Sequence, residues 1–476
     1  MTAVMATATT FWCATALVDG VTTAGVRVGC GPDGTITAVE SAAAALPDDV
    51  LLGHVVPGMG NAHSHAFHRA LRGRTHNDGG DFWRWRDSMY NTAAALDPEL
   101  YRELAVGVFS EMVQAGFTAV GEFHYVHHRQ DGTAYPTPHA MELALASAAH
   151  EVGIRLTLLD TSYLRGGTGI ALTADQLRFG DGTGARWLAR WNSLRDALAE
   201  KNAGQRAPVR LGAAIHSVRA VGREDMAVIL DGLPADAPLH IHLSEQPREN
   251  EECRTEYDTT PTGLLATLGA LTPRLSVVHA THLTDQDVAL LGAASVSVVM
   301  CPTTEADLGD GIGPARALAD AGARIALGSD QNAVVDPFLE SRGLEAGERL
   351  ASGRRGRFSP RELGDALSTN GYVSLGLGSG GIAIGSFCDL VEVALDTVRT
   401  IGSAPEQIAL TATAGDVLRV IVGGRVVADK RTVDNHIAST ETSDAGRLPV
   451  TEARAAAALA APLHKLETRI AKRGTV

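Results

Sequence analysis

The feature that most constrains this chain is an alternation along its middle: short, apolar, β-branched runs separated by stretches with helical spacing. The runs are Val55–Asn61, Thr118–Phe123, Arg155–Leu159, Val209–Ile215, Leu239–Leu243, Ser276–His279, Ser295–Met300 and Arg324–Leu327. Between them lie Pro98–Ala115, Pro138–His150, Ala185–Ala199, Arg223–Leu230, Pro261–Leu268, Thr284–Leu291 and Pro314–Ala321, whose apolar residues recur on one helical face. Strands that are apolar on both sides and joined by helices indicate a parallel sheet covered on both faces. Eight such units, with no GxGxxG after the first strand, favour a closed (β/α)₈ TIM-like barrel of the α/β class over an open doubly wound sheet.

The two ends have a different texture. Thr15–Val18, Val26–Cys30 and Ile36–Val39 read as strands around turns at Asp19-Gly20 and Asp33-Gly34. Cys388–Val393, Arg419–Val422 and Arg425–Ala428 repeat that pattern around Gly423-Gly424. Two β-rich ends form one small domain only if the middle is an insert whose termini lie close together. The expected division is therefore 1–54 and 384–434 for the small domain, 55–383 for the barrel, and 435–476 for a tail. In that tail, Asn435–Leu448 reads as a polar linker and Thr451–Lys472 as an Ala-rich amphipathic helix, free to pack on its own barrel or on a partner subunit in a homodimer.

Charge narrows the partners. The chain has 476 residues, with 41 basic against 55 acidic side chains and a net charge of −14. That balance argues against nucleic acid and anionic membrane surfaces. No apolar run reaches the ~20 residues of a membrane span, and Met1–Val18 lacks the basic start and cleavage signal of a secretory leader. Cys13, Cys30, Cys253, Cys301 and Cys388 are odd in number and scattered, without a CxxC pair, so neither a disulfide framework nor an all-cysteine zinc site is expected. Together these features point to the cytoplasm.

Barrels of this kind carry their chemistry at the C-terminal ends of the strands. There the chain places His63 and His65 after the first strand, His216 after the fourth, and His242 with Glu245 after the fifth. His279 follows the sixth and Asp330 the eighth. Alternate residues of a strand face the same side, so His63 and His65 can share one ion, with His242 and Asp330 as further ligands. Imidazoles joined by a carboxylate suit one divalent ion, Zn²⁺ first, with Fe²⁺ or Mn²⁺ as alternatives. An isolated histidine at a strand end is more often a hydrogen-bonded core or rim residue, the reading given to His54, His76 and His139. His240, one layer below His242, reads as a buried support.

Specific stretches carry a resemblance. Pro57-Gly58-Met59 through His63-Ser64-His65, His242-Leu243-Ser244-Glu245, Val278-His279-Ala280-Thr281-His282 and Gly328-Ser329-Asp330 resemble the amidohydrolase superfamily. That resemblance implies a barrel flanked by a small β-sandwich built from both chain ends. More narrowly, the chain resembles the formimidoylglutamate deiminase family of histidine degradation. This rests on His63–Phe67, Phe82-Trp83-Arg84-Trp85-Arg86, Glu122-Phe123-His124-Tyr125-Val126-His127-His128, Ile215–Arg219 and the stretch from Cys301-Pro302-Thr303-Thr304-Glu305 to Gly311.

The resemblance implies hydrolytic removal of ammonia from N-formimino-L-glutamate, giving N-formyl-L-glutamate. The metal would acidify a water, Glu245 would shuttle its proton to the departing nitrogen, and His279, with Asp330, would orient the nucleophile. Arg86, Tyr125, His216 and Arg219 match family positions that hold the dianionic substrate, and arginine's planar fork suits carboxylates. Two departures stand out. His68 occupies the place three beyond His65 where glutamine is expected, which bears on that substrate contact, and Gln331-Asn332 follow Asp330 where Ser-His is commoner. Binuclear superfamily members bridge two metals with a carboxylated lysine near the fourth strand. Only Lys201 lies between His65 and His242, in a polar helix end, which points to one ion. The competing readings are a deaminase of a guanine-like base or of another formimino amino acid, and a non-catalytic scaffold on the same barrel.

Overall fold

The computed structural model describes residues 9–75, 82–205, 207–432 and 448–473. His76, the linker up to residue 447 and the first eight residues of the Met1–Val18 stretch lie outside them. Four strands open the chain: Thr9–Val18 (β1), Val21–Cys30 (β2), Ile36–Glu40 (β3) and Val50–Pro57 (β4). Eight more follow: Met59–Ser64 (β5), Phe117–His124 (β6), Arg155–Ser162 (β7), Arg210–Ile215 (β8), Leu239–Leu243 (β9), Leu275–His279 (β10), Ser297–Met300 (β11) and Arg324–Leu327 (β12). Leu390–Val393 (β13), Val417–Val422 (β14) and Arg425–Asp429 (β15) close the series.

Strands β5 to β12 pair in sequence order, every pair parallel, as the alternation predicts. The seam between first and last closes just beyond β12. His63 O accepts from Ser329 N at 3.1 Å and from Asp330 N at 3.0 Å, and His65 N donates to Asp330 O at 2.9 Å. The helix Pro98–Ala115 shows why the pattern was readable. Asp97 caps it by accepting from Leu100 N, Pro98 begins it, and Gly116 ends it at φ +113°.

Both chain ends build one sheet, in the order β15-β14-β13-β4-β1-β2-β3. It encloses its own small core of Phe11, Cys13, Val26, Val28, Leu52, Cys388 and Leu390. The junction between the two sheets differs from the sequence expectation. The run Val55–Asn61 is not one strand: β4 pairs with β1 and β13 through Pro57, and the barrel starts at Met59. The reason is Gly58, whose N–H donates to Asp389 O at 2.8 Å and turns the chain from one sheet into the other. The C-terminal helix, Glu452–Arg473, packs on its own barrel against Pro98–Ala115. No helix of the described residues is long and apolar enough to cross a membrane.

Candidate active site

The site is assembled at the C-terminal rim of the barrel from strand ends. The two-residue period of β5 puts His63 and His65 on one side, and both are buried. His63 Nε2 lies 3.2 Å and His65 Nε2 3.3 Å from the same Asp330 Oδ1. His242 Nε2 lies 3.1 Å from His63 Nε2. Two imidazole nitrogens facing each other at that distance cannot both be donors. The opposite ring nitrogens explain how the arrangement holds. His65 Nδ1 contacts Phe123 O at 2.9 Å and His242 Nδ1 contacts His216 O at 2.9 Å, which makes each Nδ1 the donor and leaves each Nε2 a lone pair. Burial lowers the pKa of His63, His65 and His242, favouring the neutral form in which imidazole binds metals. Ligand atoms of His63, His242, His279 and Asp330 lie within 4.8 Å of one another, as do those of His65, His68 and Asp330, so two groups that share Asp330 offer the imidazole and carboxylate donors that suit a divalent ion.

His279 ends β10 beside this set. Its Nδ1 lies 3.4 Å from Glu305 Oε1 and its Nε2 3.9 Å from Glu245 Oε1. Burial alone would lower its pKa, but the carboxylates of Glu245, Glu305 and Asp330 outweigh it and raise the value to about 10. The same acidic surroundings have the opposite counterpart in Asp330, whose burial is outweighed by His63, His279 and His65, so its carboxyl is held well below the usual range. Ser244, His279, Ala280, Asp330 and Asn332 all adopt positive φ although none is glycine. Strained backbone of this kind gathers where side chains must be aimed.

A cavity of about 580 Å³ opens above the donor set, with His65, His242, Glu245, His279 and Asp330 among its lining residues. Arg86, Tyr125, His216, Arg219 and His68 line it as well, so every residue singled out as a substrate contact reaches this space. Arg219 is held by Glu249, Nε to Oε2 at 3.0 Å, and its Nη2 stands 3.8 Å from Glu245 Oε2. His68 Nε2 lies 3.0 Å from the Tyr125 hydroxyl, and burial pushes its pKa down to about 3, so it meets the cavity as a neutral ring. Asn332 is built into the scaffold: its Nδ2 donates to His65 O at 3.0 Å and to Ser64 Oγ at 3.2 Å. Gln331 donates from Nε2 to Asp307 Oδ2 at 2.6 Å.

Several participants were not assigned roles from sequence. Glu305, within the Cys-Pro-Thr-Thr-Glu stretch, orients His279 while its Oε1 accepts from Cys301 N at 2.8 Å. Glu249, in the first turn of the helix Pro247–Tyr257 that follows Glu245, buttresses Arg219 and accepts from Ser244 N at 3.0 Å. Glu122 supports the loop after β5 by accepting from Ala66 N at 2.6 Å, and burial raises its carboxyl to about 8. The supporting histidines behave as read. His240 Nε2 contacts Ser374 O at 2.9 Å, His54 Nδ1 contacts Thr15 Oγ1 at 2.9 Å and His139 Nε2 contacts Ser193 Oγ at 2.9 Å. Lys201 is exposed at the end of the helix Gly184–Lys201.

Comparison with known proteins agrees with this fold. Residues 54–427 match the model of the amidohydrolase family. The formimidoylglutamate deiminase of Pseudomonas aeruginosa is 37% identical over 377 residues, covering 77% of this chain and 82% of the relative. A crystal structure of an amidohydrolase from Brucella melitensis superposes with a TM-score of 0.85 at 31% identity, covering 96% of this chain and all of that one. An adenosine deaminase from Xanthomonas campestris, solved with bound zinc, shares the fold with a TM-score of 0.77 at 22% identity over 97% of this chain and 98% of its own.

Proposed function

The chain belongs to the amidohydrolase family, and from that premise we propose that it hydrolyses N-formimino-L-glutamate to N-formyl-L-glutamate and ammonia, a step of histidine degradation. Water adds to the C=NH carbon, the C–N bond to the terminal nitrogen breaks, and ammonia leaves. The observation that carries the reading is the pairing within one cavity of a convergent His/Asp donor set with Arg86 and Arg219, cationic partners for a substrate bearing two carboxylates.

A divalent ion, most simply one Zn²⁺ held by His63, His65, His242 and Asp330, would supply Lewis acidity and lower the pKa of a water from ~15.7 toward 7. Glu245 takes a proton from the attacking water and returns it to the departing nitrogen, a carboxylate's two-step role. His279, kept in place by Glu305, stabilises charge developing at the tetrahedral carbon. Tyr125, His216 and His68 orient the substrate between these groups and the arginines. A single ion is the simpler assignment because the barrel interior offers no lysine to bridge two, Lys201 being exposed.

Five buried cysteines with no disulfide among them suit a reducing cytoplasm, and the acidic net charge suits a small substrate rather than a polyanion. Turnover of formimino-glutamate set beside formimino-aspartate, guanine and cytosine tests the assignment. Preference for formimino-glutamate is expected, and preference for a base would overturn it.

A further inference from the structure

The helix Phe82–Ala95 lines the cavity with Trp85, Arg86, Met89 and Tyr90, yet its last turn contains no basic residue. A helix ends in carbonyls without intrahelical partners and carries partial negative charge there. Here those carbonyls are satisfied from outside. Arg178 donates from Nη1 to Ala93 O and from Nη2 to Leu96 O, the latter at 3.2 Å. Arg473 Nη1 donates to Ala94 O at 3.2 Å and Arg469 Nη1 to Ala95 O at 3.0 Å. Arg469 also reaches Asp97 Oδ2 at 2.7 Å, and Asp97 caps the next helix, Pro98–Ala115.

Arg469 and Arg473 stand one turn apart on the same face of the C-terminal helix Glu452–Arg473. That helix is firmly seated. At Gly107 the two backbones approach so closely that a Cβ would lie 2.9 Å from Ala458 O and from Leu459 Cδ2. Lys465 Nζ pairs with Glu103 at 2.7 Å. Glu467 pairs with Arg74, ahead of the cavity-lining helix in the chain. One element thus grips the chain on both sides of Trp85 and Arg86.

We propose that the C-terminal helix is a strap that sets where the helix Phe82–Ala95 stands over the cavity, with Arg469 and Arg473 as positioning residues for substrate binding. The role assigned to the cavity rests on the function proposed above. Arg86 lies nine residues before Ala95, on the order of 13 Å of helix at ~1.5 Å per residue, so a shift at the held end moves the guanidinium at the other.

The test compares the full-length enzyme with the double variants Arg469→Ala/Arg473→Ala and Arg469→Lys/Arg473→Lys. In the alanine pair, KM for formimino-glutamate should rise about tenfold with kcat within about twofold, because binding geometry is lost and the reacting groups are untouched. Amide exchange in residues 82–95 should accelerate about tenfold while the barrel strands keep their protection. The lysine pair, still cationic and able to donate, should recover most of the KM. An unchanged KM in the alanine pair overturns the proposal, as does a joint fall of kcat and barrel protection, which marks a merely structural role. If the unsubstituted protein fails to turn over formimino-glutamate, the functional reading falls instead. The exchange measurement then decides the strap alone, and unchanged exchange in residues 82–95 refutes it.

Discussion

In the mechanism proposed, the one carboxylate of Glu245 serves both the water and the leaving group. Its Oε1 faces His279 at 3.9 Å and its Oε2 faces Arg219 at 3.8 Å. Glu245→Gln keeps the shape and removes the proton carrier, so turnover should drop by roughly 10²–10⁴-fold while bound metal, measured by elemental analysis, stays unchanged. His127 is buried, its ring edge-on to that of His124. Burial and the Arg190 guanidinium push its pKa down, but Asp160 and Glu142 outweigh them, with Glu142 Oε1 2.8 Å away and Asp160 Oδ1 3.4 Å away, and the net shift is upward. A histidine whose folded pKa exceeds its unfolded value of 6.5 is most stabilising below that value and loses the contribution as pH rises through the folded one. Urea unfolding midpoints should therefore decline above pH 6.5, and His127→Gln should flatten that slope. The rim histidines were legible because strand ends are fixed positions in such barrels. Glu305 and Glu122 had no assigned role because theirs depends on a fold-generated neighbour: His279 for one, the Ala66 amide for the other.

Elements with complete local signals were read almost to the residue. The helix Pro98–Ala115 has its Asp cap, leading proline and terminal glycine, whereas Pro247–Tyr257 is a charged helix with little apolar periodicity and was missed. The helix Phe82–Ala95 was missed for a related reason: part of its face is turned to the cavity instead of the core. Strands β4 and β5 fused into one expected run because the residues on both sides of Gly58 are apolar, and nothing local marks the change of sheet. The seam between β5 and β12 yields a prediction of its own. A Cβ on Gly328 would lie 2.9 Å from His63 Cβ and from His63 O, so Gly328→Ala must push Asp330 away from its histidines. Metal affinity, followed by competition with a chromogenic chelator, should fall roughly 10–100-fold, as it does when groups supporting metal ligands are disturbed.

Across the whole molecule, a buried ion pair joins the two sheets. Arg155 of β7 reaches Asp389, which lies just ahead of β13, with Nε at 2.6 Å and Nη2 at 3.0 Å. Tyr372 and the Gly423 amide complete the carboxylate's shell at 2.6 and 2.7 Å. Asp389→Ala leaves a buried guanidinium without its partner and should cost about 3–5 kcal/mol in urea unfolding. That both ends of the chain meet was legible from their shared β texture. The continuous sheet was not, because β1 pairs with β4 and β4 with β13 across separations that no local pattern encodes. A metal-assisted deiminase with its donor set on the barrel rim should release ammonia only when metal is bound. The most direct test is ammonia release from formimino-glutamate before and after chelation. One ammonia per substrate, lost on stripping and restored by about one Zn²⁺ per chain, is the expected result. Undiminished release from fully stripped protein, or no release from metal-loaded protein, would contradict it.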